Sequence, residues 1–227
     1  MIMYYQFRGK LKGSQLLYLF GEGEGVRYFF HRSKHSADTF ILFHGTGGRE
    51  TDLLRVAGNV NPYFSVFGIR GNVIENGQRR YFKRLKDGSF DKIDLKARTQ
   101  IMLQFIEQKL KEYQAGETRL HLIGYSNGAN MAVNLLLHSP EHFQSAVLLH
   151  PSASPHAISH ANLSNVPVFI TAGATDHIVA PGEAVTLKRQ LTESGASVSL
   201  FLTDGGHELR ESEVSEVTSW WNHGMRI

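Results

Sequence analysis

The sequence predicts an α/β protein with a mostly parallel central sheet and helices on both faces. Three observations carry this prediction. Short apolar runs recur along the chain, segments with helical periodicity separate them, and no apolar run approaches the roughly 20 residues needed to span a bilayer. A chain of 227 residues, 41% of them hydrophobic, is long enough for one sizeable core.

Taken in order, residues 4–7, 16–20 and 26–30 read as strands, with turns at Gly13 and at Gly21-Glu22-Gly23-Glu24-Gly25. Strand and helix then alternate. Residues 39–43 are an apolar strand, 51–60 a short helix and 64–69 a strand. Residues 94–114 form a long helix, because Leu95, Ile101, Leu103, Phe105, Ile106 and Leu110 fit a broad buried face better than a strand's alternation. Residues 120–123 are a strand, 127–138 a helix, and 146–149 and 166–171 further strands. A helix over 181–194 starts at Pro181 and stops at Gly195. Residues 198–202 are a strand, and the last helix covers 208–221. No linker or repeat divides the chain, so one domain is expected, with 1–38 as an N-terminal strand extension and 39–221 as the functional core. In such sheets ligands sit at the carboxyl ends of the strands.

The composition narrows the chemistry. The chain has no cysteine, which removes disulfides, thiolate nucleophiles and cysteine metal sites. A formal charge of +3, from 24 basic and 21 acidic residues, is ordinary for a mixed-charge surface. The basic cluster Arg79-Arg80-Tyr81-Phe82-Lys83-Arg84 is short, so no nucleic-acid partner is expected. The first residues, Met1-Ile2-Met3-Tyr4-Tyr5-Gln6-Phe7-Arg8, have no basic head before an apolar stretch. A cytoplasmic protein without stable membrane insertion is therefore expected, and the N-terminal strands could form a homodimer surface.

Gly124-Tyr125-Ser126-Asn127-Gly128 follows a predicted strand and opens a predicted helix. That is the context a G-x-S-x-G nucleophile elbow requires. The serine occupies a strained turn, which costs about 1–3 kcal/mol, and strand and helix crowd the flanking positions. Gly124, Gly128 and Ala129 are small enough to allow this. The hydroxyl then stands at a helix N-terminus, which favours negative charge. A second glycine-rich loop, His44-Gly45-Thr46-Gly47-Gly48, follows the first central strand. It lacks the Gly-Lys-Ser/Thr and the G-x-G-x-x-G spacing of phosphate loops. It suits an oxyanion hole instead, with the amides of Thr46 and Asn127 as donors. His44 reads as a structural residue that shapes the turn.

A serine nucleophile needs a base, and the base needs an orienting carboxylate. In the α/β-hydrolase fold they follow in the order Ser, Asp, His. Asp176 follows the strand containing Val168-Phe169-Ile170-Thr171, and His207 follows the strand ending at Leu202. Asp204 is the rival acid. Twelve histidines compete for the role of base, but His31, His35, His121 and His142 do not follow late strands, His177 adjoins the acid, and His223 lies beyond the last helix. His156 and His160 have no companion carboxylate, so neither metal nor cofactor is expected. Tyr81, Phe82, Phe90, His150 and Ile178 are the expected substrate-contacting residues. The three aromatics could equally be core anchors.

Together, His44-Gly45-Thr46-Gly47-Gly48, Gly124-Tyr125-Ser126-Asn127-Gly128-Ala129-Asn130, Gly173-Ala174-Thr175-Asp176 and Gly206-His207 resemble the phospholipase/carboxylesterase family of α/β-hydrolases, which includes the acyl-protein thioesterases. Gly68-Ile69-Arg70-Gly71, Glu75-Asn76-Gly77 and Phe90-Asp91 look most like its bacterial carboxylesterases of the methylhydroquinone-degradation hydrolase type. The likeness covers residues 39–221. Two features depart from the eukaryotic thioesterases: Asn127 stands where they carry Gln, and Thr46-Gly47-Gly48 stands where they carry Leu-Gly-Asp.

The resemblance and the motifs imply a serine carboxylesterase acting on a small or flexible ester through an acyl-enzyme. A hydrolase of lactones or aromatic ring-cleavage products, a lysophospholipase or thioesterase, and a non-catalytic binding protein are the alternatives. Dienelactone hydrolases usually employ cysteine, which this chain lacks. The short interval from Ser126 to Asp176 leaves no room for a large cap domain.

Overall fold

A computed structural model describes residues 18–23, 25–113, 115, 118–153 and 161–224. The strand expected over 4–7 and the pair His156 and His160 lie outside the described residues.

Near the start come β1 (Tyr18–Gly23), β2 (Val26–His31) and β3 (Asp38–Phe43). They are followed by α1 (Leu54–Val60), β4 (Ser65–Ile69) and a small hairpin of β5 (Val73–Glu75) and β6 (Gln78–Arg80). Next are α2 (Lys92–Glu112), β7 (Arg119–Tyr125), α3 (Asn127–His138) and β8 (Phe143–Leu149). The order ends with β9 (Pro167–Gly173), α4 (Pro181–Glu193), β10 (Ser197–Thr203) and α5 (Glu211–Gly224). Eight strands join in the order β1-β2-β4-β3-β7-β8-β9-β10. The six from β4 to β10 run parallel, while β1 and β2 are antiparallel to their neighbours. The mostly parallel sheet with helices on both faces is therefore present, and among the described residues no large cap interrupts it.

Alternation along the strands builds two apolar layers. Ile41 and Phe43 of β3, with Leu122 of β7 and Leu148 of β8, pack against Leu95, Phe105 and Ile106 of α2, Met131 and Leu135 of α3, and Leu187 of α4. Phe40 and Leu42, with Ile123, Val147 and Leu149, face the other way against Val56 and Val60 of α1 and Val217 and Trp221 of α5. Because both faces are covered, the central strands read as continuous apolar runs.

The differences from the sequence reading have local causes. α2 begins at Lys92 rather than 94 because the Asp91 carboxylate caps it, accepting the amides of Ile93 and Asp94. The hairpin lies in a segment whose sequence shows only short polar runs. Its turn, Asn76-Gly77, has φ of 51° and 74°, the pair of left-handed residues a tight two-residue hairpin needs.

Candidate active site

Ser126 follows β7 at φ 53° and ψ −117°, a conformation that only dense local packing holds. That packing requires glycine on either side. A Cβ on Gly124 would lie 2.6 Å from the Gly128 carbonyl oxygen, and one on Gly128 would lie 2.1 Å from that of Phe43. The Ser126 amide donates to Leu149 O at 2.8 Å, which ties the elbow to β8.

Two loops bring the other members of the predicted triad to the same edge. Thr175 N donates to Gly205 O at 2.9 Å and Ala174 N to Thr203 O at 2.8 Å, so the loop after β9 and the loop after β10 are laced together. His207 Nε2 lies 2.8 Å from Ser126 Oγ, and His207 Nδ1 lies 2.6 Å from Asp176 Oδ2. A carboxylate oxygen accepts, so Nδ1 carries the proton and Nε2 is free to receive the serine's. The other Asp176 oxygen accepts the amides of Ile178 at 2.8 Å and Val179 at 2.9 Å. Burial alone would raise the Asp176 carboxyl; these two amides and His207 more than offset it and hold it below the usual carboxylate range.

Thr46 lies in the loop that follows β3, and Asn127 opens α3 directly after Ser126. The loop after β3 turns so that Gly47 N donates to Arg79 O and Gly48 N to Gly45 O. The Asn127 amide opens α3 and has no acceptor within the helix. The Asn127 side chain does different work. Its Oδ1 accepts the Tyr81 amide at 2.9 Å, which fastens the segment after the hairpin to the elbow. His44 is structural, as expected. Its Nε2 accepts the Gly71 amide at 3.0 Å, so that nitrogen is bare, and its Nδ1 donates to Gly45 O at 2.5 Å. Burial pushes this imidazole below its ordinary range, which agrees with the neutral form.

Several expected substrate contacts need correction. Tyr81 and Phe82 are 1% and 0% exposed. Tyr81 is a core strut, accepting the His44 amide at 2.9 Å and donating to Ile69 O at 2.7 Å. Phe82 belongs to the same core, and Phe90 packs edge-on against it at 5.0 Å. The Tyr81 amide and hydroxyl, bound to Asn127 Oδ1 and Ile69 O, hold this segment against the core. His150 is not a wall residue either. It is fully buried, with Nδ1 3.3 Å from Asp176 Oδ2 and Nε2 2.8 Å from Glu213 Oε1. Of the five, Phe90 is half-buried, and Ile178, near Asp176, is the most open to solvent at 75% exposure. Asp204, the rival acid, instead pairs with Arg210 at 2.8 Å.

The sequence reading did not single out Glu213 or the Tyr125 side chain. The Tyr125 hydroxyl donates to His207 O, and its ring lies 5.6 Å from that of His207. Burial first, and then the charges of Glu213, Asp176 and Glu208, push this phenol up to about 12. Its place as the first variable position of the G-x-S-x-G motif, directly before Ser126, is the available signal for Tyr125. Among the described residues, His150, Asp176 and His207 are the group whose donor atoms converge enough to hold a metal, lying within 4.8 Å of one another. In this arrangement each of them is already engaged in hydrogen bonds. No helix among the described residues is long and apolar enough to cross a membrane.

Comparison with known proteins gives this geometry a context. The sequence profile of the dienelactone hydrolase family matches residues 83–209, a stretch holding Ser126, Asp176 and His207. The hydrolase MhqD of Bacillus subtilis strain 168 is 39% identical over 190 residues, which is 84% of this chain and 95% of that protein. The crystal structure of a Bacillus cereus carboxylesterase superposes with a TM-score of 0.81 at 38% identity, covering 88% of this chain and 95% of that one. A carboxylesterase from Mesorhizobium loti gives 0.78 at 25% identity, covering 88% and 95%. The chain is thus a hydrolase of the α/β-hydrolase fold and belongs to the dienelactone hydrolase family.

Proposed function

We propose that the protein is a serine carboxylesterase that cleaves small or flexible esters through an acyl-enzyme on Ser126. The observation that carries this reading is the continuous hydrogen-bonded path from Ser126 Oγ through His207 to Asp176, made by residues 81 and 31 positions apart in the chain. Ser126 Oγ attacks the ester carbonyl while His207 Nε2 takes its proton, and His207 then returns that proton to the leaving alcohol. A water, deprotonated by the same nitrogen, attacks the acyl-serine, and the serine leaves with the proton. Asp176 keeps the ring in the required tautomer. The amides of Thr46 and Asn127 take the negative charge that builds on the carbonyl oxygen. The small-molecule ester is the only partner this chemistry requires.

The family match supports a second reading within the same chemistry. A lactone is a cyclic ester, and the same steps would open it. Serine, rather than the cysteine usual for dienelactone hydrolases, favours ordinary esters as the main substrates. Two measurements test the proposal. Fluorophosphonate should label the protein at Ser126, and Ser126→Ala should lower turnover of p-nitrophenyl esters by roughly 10⁴-fold or more. An unlabelled wild type, or full activity in the variant, would refute it. Comparing rates on linear esters of rising chain length with rates on lactones ranks the two substrate classes.

A further inference from the structure

His150 has no part in the mechanism above, yet it is the most constrained histidine near it. It follows β8 with φ 51°, in the left-handed region that strains a residue with a Cβ. Its amide donates to Thr171 O at 2.9 Å, and its ring is fully buried between two carboxylates. One is Asp176, whose Oδ2 also accepts from His207. The other is Glu213, on the first turn of α5 and likewise fully buried. The second Glu213 oxygen accepts the Arg210 amide at 2.9 Å, half of a capping box, so α5 holds this carboxylate in place.

We infer that His150, gripped by Glu213, is a positioning residue for the triad: it gives Asp176 Oδ2 a second N–H and so fixes the carboxylate that orients His207. The inference rests on the assignment of Ser126 as nucleophile and deepens it. Both ring nitrogens of His150 face carboxylate oxygens, which only accept, so both carry protons and the ring is an imidazolium. Burial would lower its affinity for that proton; the bonds and charges of Glu213 and then Asp176 outweigh burial and raise it. Glu213 is itself held below the usual carboxylate range, chiefly by His150 acting against burial. The titratable groups facing the ring are Asp176 from the loop after β9, Glu213 from α5, and the rings of Tyr125 at 5.8 Å and His207 at 5.3 Å. The Glu213–His150 pair is neutral overall, so one net negative charge remains for His207. The positive ring nonetheless stands next to Asp176 and 5.3 Å from the ring of His207, so removing it changes the charge that surrounds the base.

His150→Ala and His150→Asn separate positioning from packing. Asparagine tolerates left-handed backbone and offers an N–H near the place of Nδ1, but it has no charge. With p-nitrophenyl acetate, His150→Ala should lower kcat about tenfold or more and leave KM within about twofold, with fluorophosphonate labelling slowed in parallel. His150→Asn should recover much of kcat. Its acidic limb, in both kcat/KM and labelling rate, should move to higher pH, because the cation beside Asp176 is gone. Loss of packing alone would not move that limb. His150→Ala with wild-type circular dichroism, wild-type kcat and an unmoved limb overturns the inference. If His150→Ala does not fold, the limb of His150→Asn decides, and an unmoved limb overturns it. A wild type that neither labels nor hydrolyses any ester instead sinks the assignment of Ser126, and this inference with it.

Discussion

Ser145 Oγ stands 2.8 Å from His121 Nδ1, and His121 Nε2 stands 3.1 Å from Asp38 Oδ1, so among the described residues serine, histidine and aspartate meet in a hydrogen-bonded row here as well as at Ser126. What differs is the setting of the serine. Ser145 lies within β8 and is fully buried, with no strained turn to lift it and no helix N-terminus beside it. It serves as a clamp across β3, β7 and β8. Ser145→Ala should therefore leave ester turnover and fluorophosphonate labelling within about twofold of wild type, while the lost bond costs about 1 kcal/mol of stability. Turnover and thermal melts check both halves, and a labelling defect would contradict the reading of Ser145 as structural. Tyr125 makes the complementary case. Tyr125→Phe keeps the ring beside His207 and removes only the donor to its carbonyl. Turnover should fall severalfold with KM nearly unchanged; an equal loss in Ser126-independent properties, such as the melting midpoint, would show that the hydroxyl matters for folding instead.

At the scale of elements, the site depends on how closely the loops after β9 and β10 approach. Gly173 is the point of contact: a Cβ there would lie 1.9 Å from Gly206 O. Gly173→Ala must push the two loops apart, which shifts His207 relative to Ser126. A displacement near 1 Å can cost about 10²-fold in rate, so turnover should collapse even if the sheet still forms. Esterase assays paired with circular dichroism read this, and a folded, fully active variant would show that the loops can slide. The same contact explains what the sequence revealed. Ser126, Asp176 and His207 were legible because each follows a strand, and the fold dictates their order. The sequence leaves Tyr81 and Phe82 open between substrate contact and core anchor, because an aromatic segment beside a glycine-rich loop looks the same whether it lines a cleft or plugs a core. Its direction is decided by Asn127 Oδ1 and Ile69 O, partners distant in sequence. Glu213 was illegible for a related reason. Arg210 precedes α5 in place of the serine or threonine of a full capping box, and nothing local shows that the free oxygen meets His150.

Across the whole molecule, two buried histidines should give opposite pH signatures in stability. Burial pushes His121 below the ordinary value of 6.5 despite Asp38. The folded state thus resists its protonation, so its contribution is complete above about pH 6.5 and is lost as the pH falls through its folded value. His150 is raised above 6.5. Its contribution is complete below about pH 6.5 and is lost as the pH rises through its folded value. The carboxylates add to the acid side. Asp38 is lowered against burial by Arg119, Ser36 and His121, and Asp176 and Glu213 are lowered as well. Each stabilises the fold above the usual carboxylate range and ceases to do so as the pH falls through its depressed value. Melting midpoints of wild type, His121→Gln and His150→Asn across pH should separate these terms. The gap between wild type and His121→Gln should be widest above pH 6.5 and close on acidification. The gap between wild type and His150→Asn should be widest in acid and close as the pH rises. Parallel curves for the two variants would mean that neither ring changes its proton affinity on folding, and that the clamp across β3, β7 and β8 and the cluster behind the acid are held by packing rather than charge.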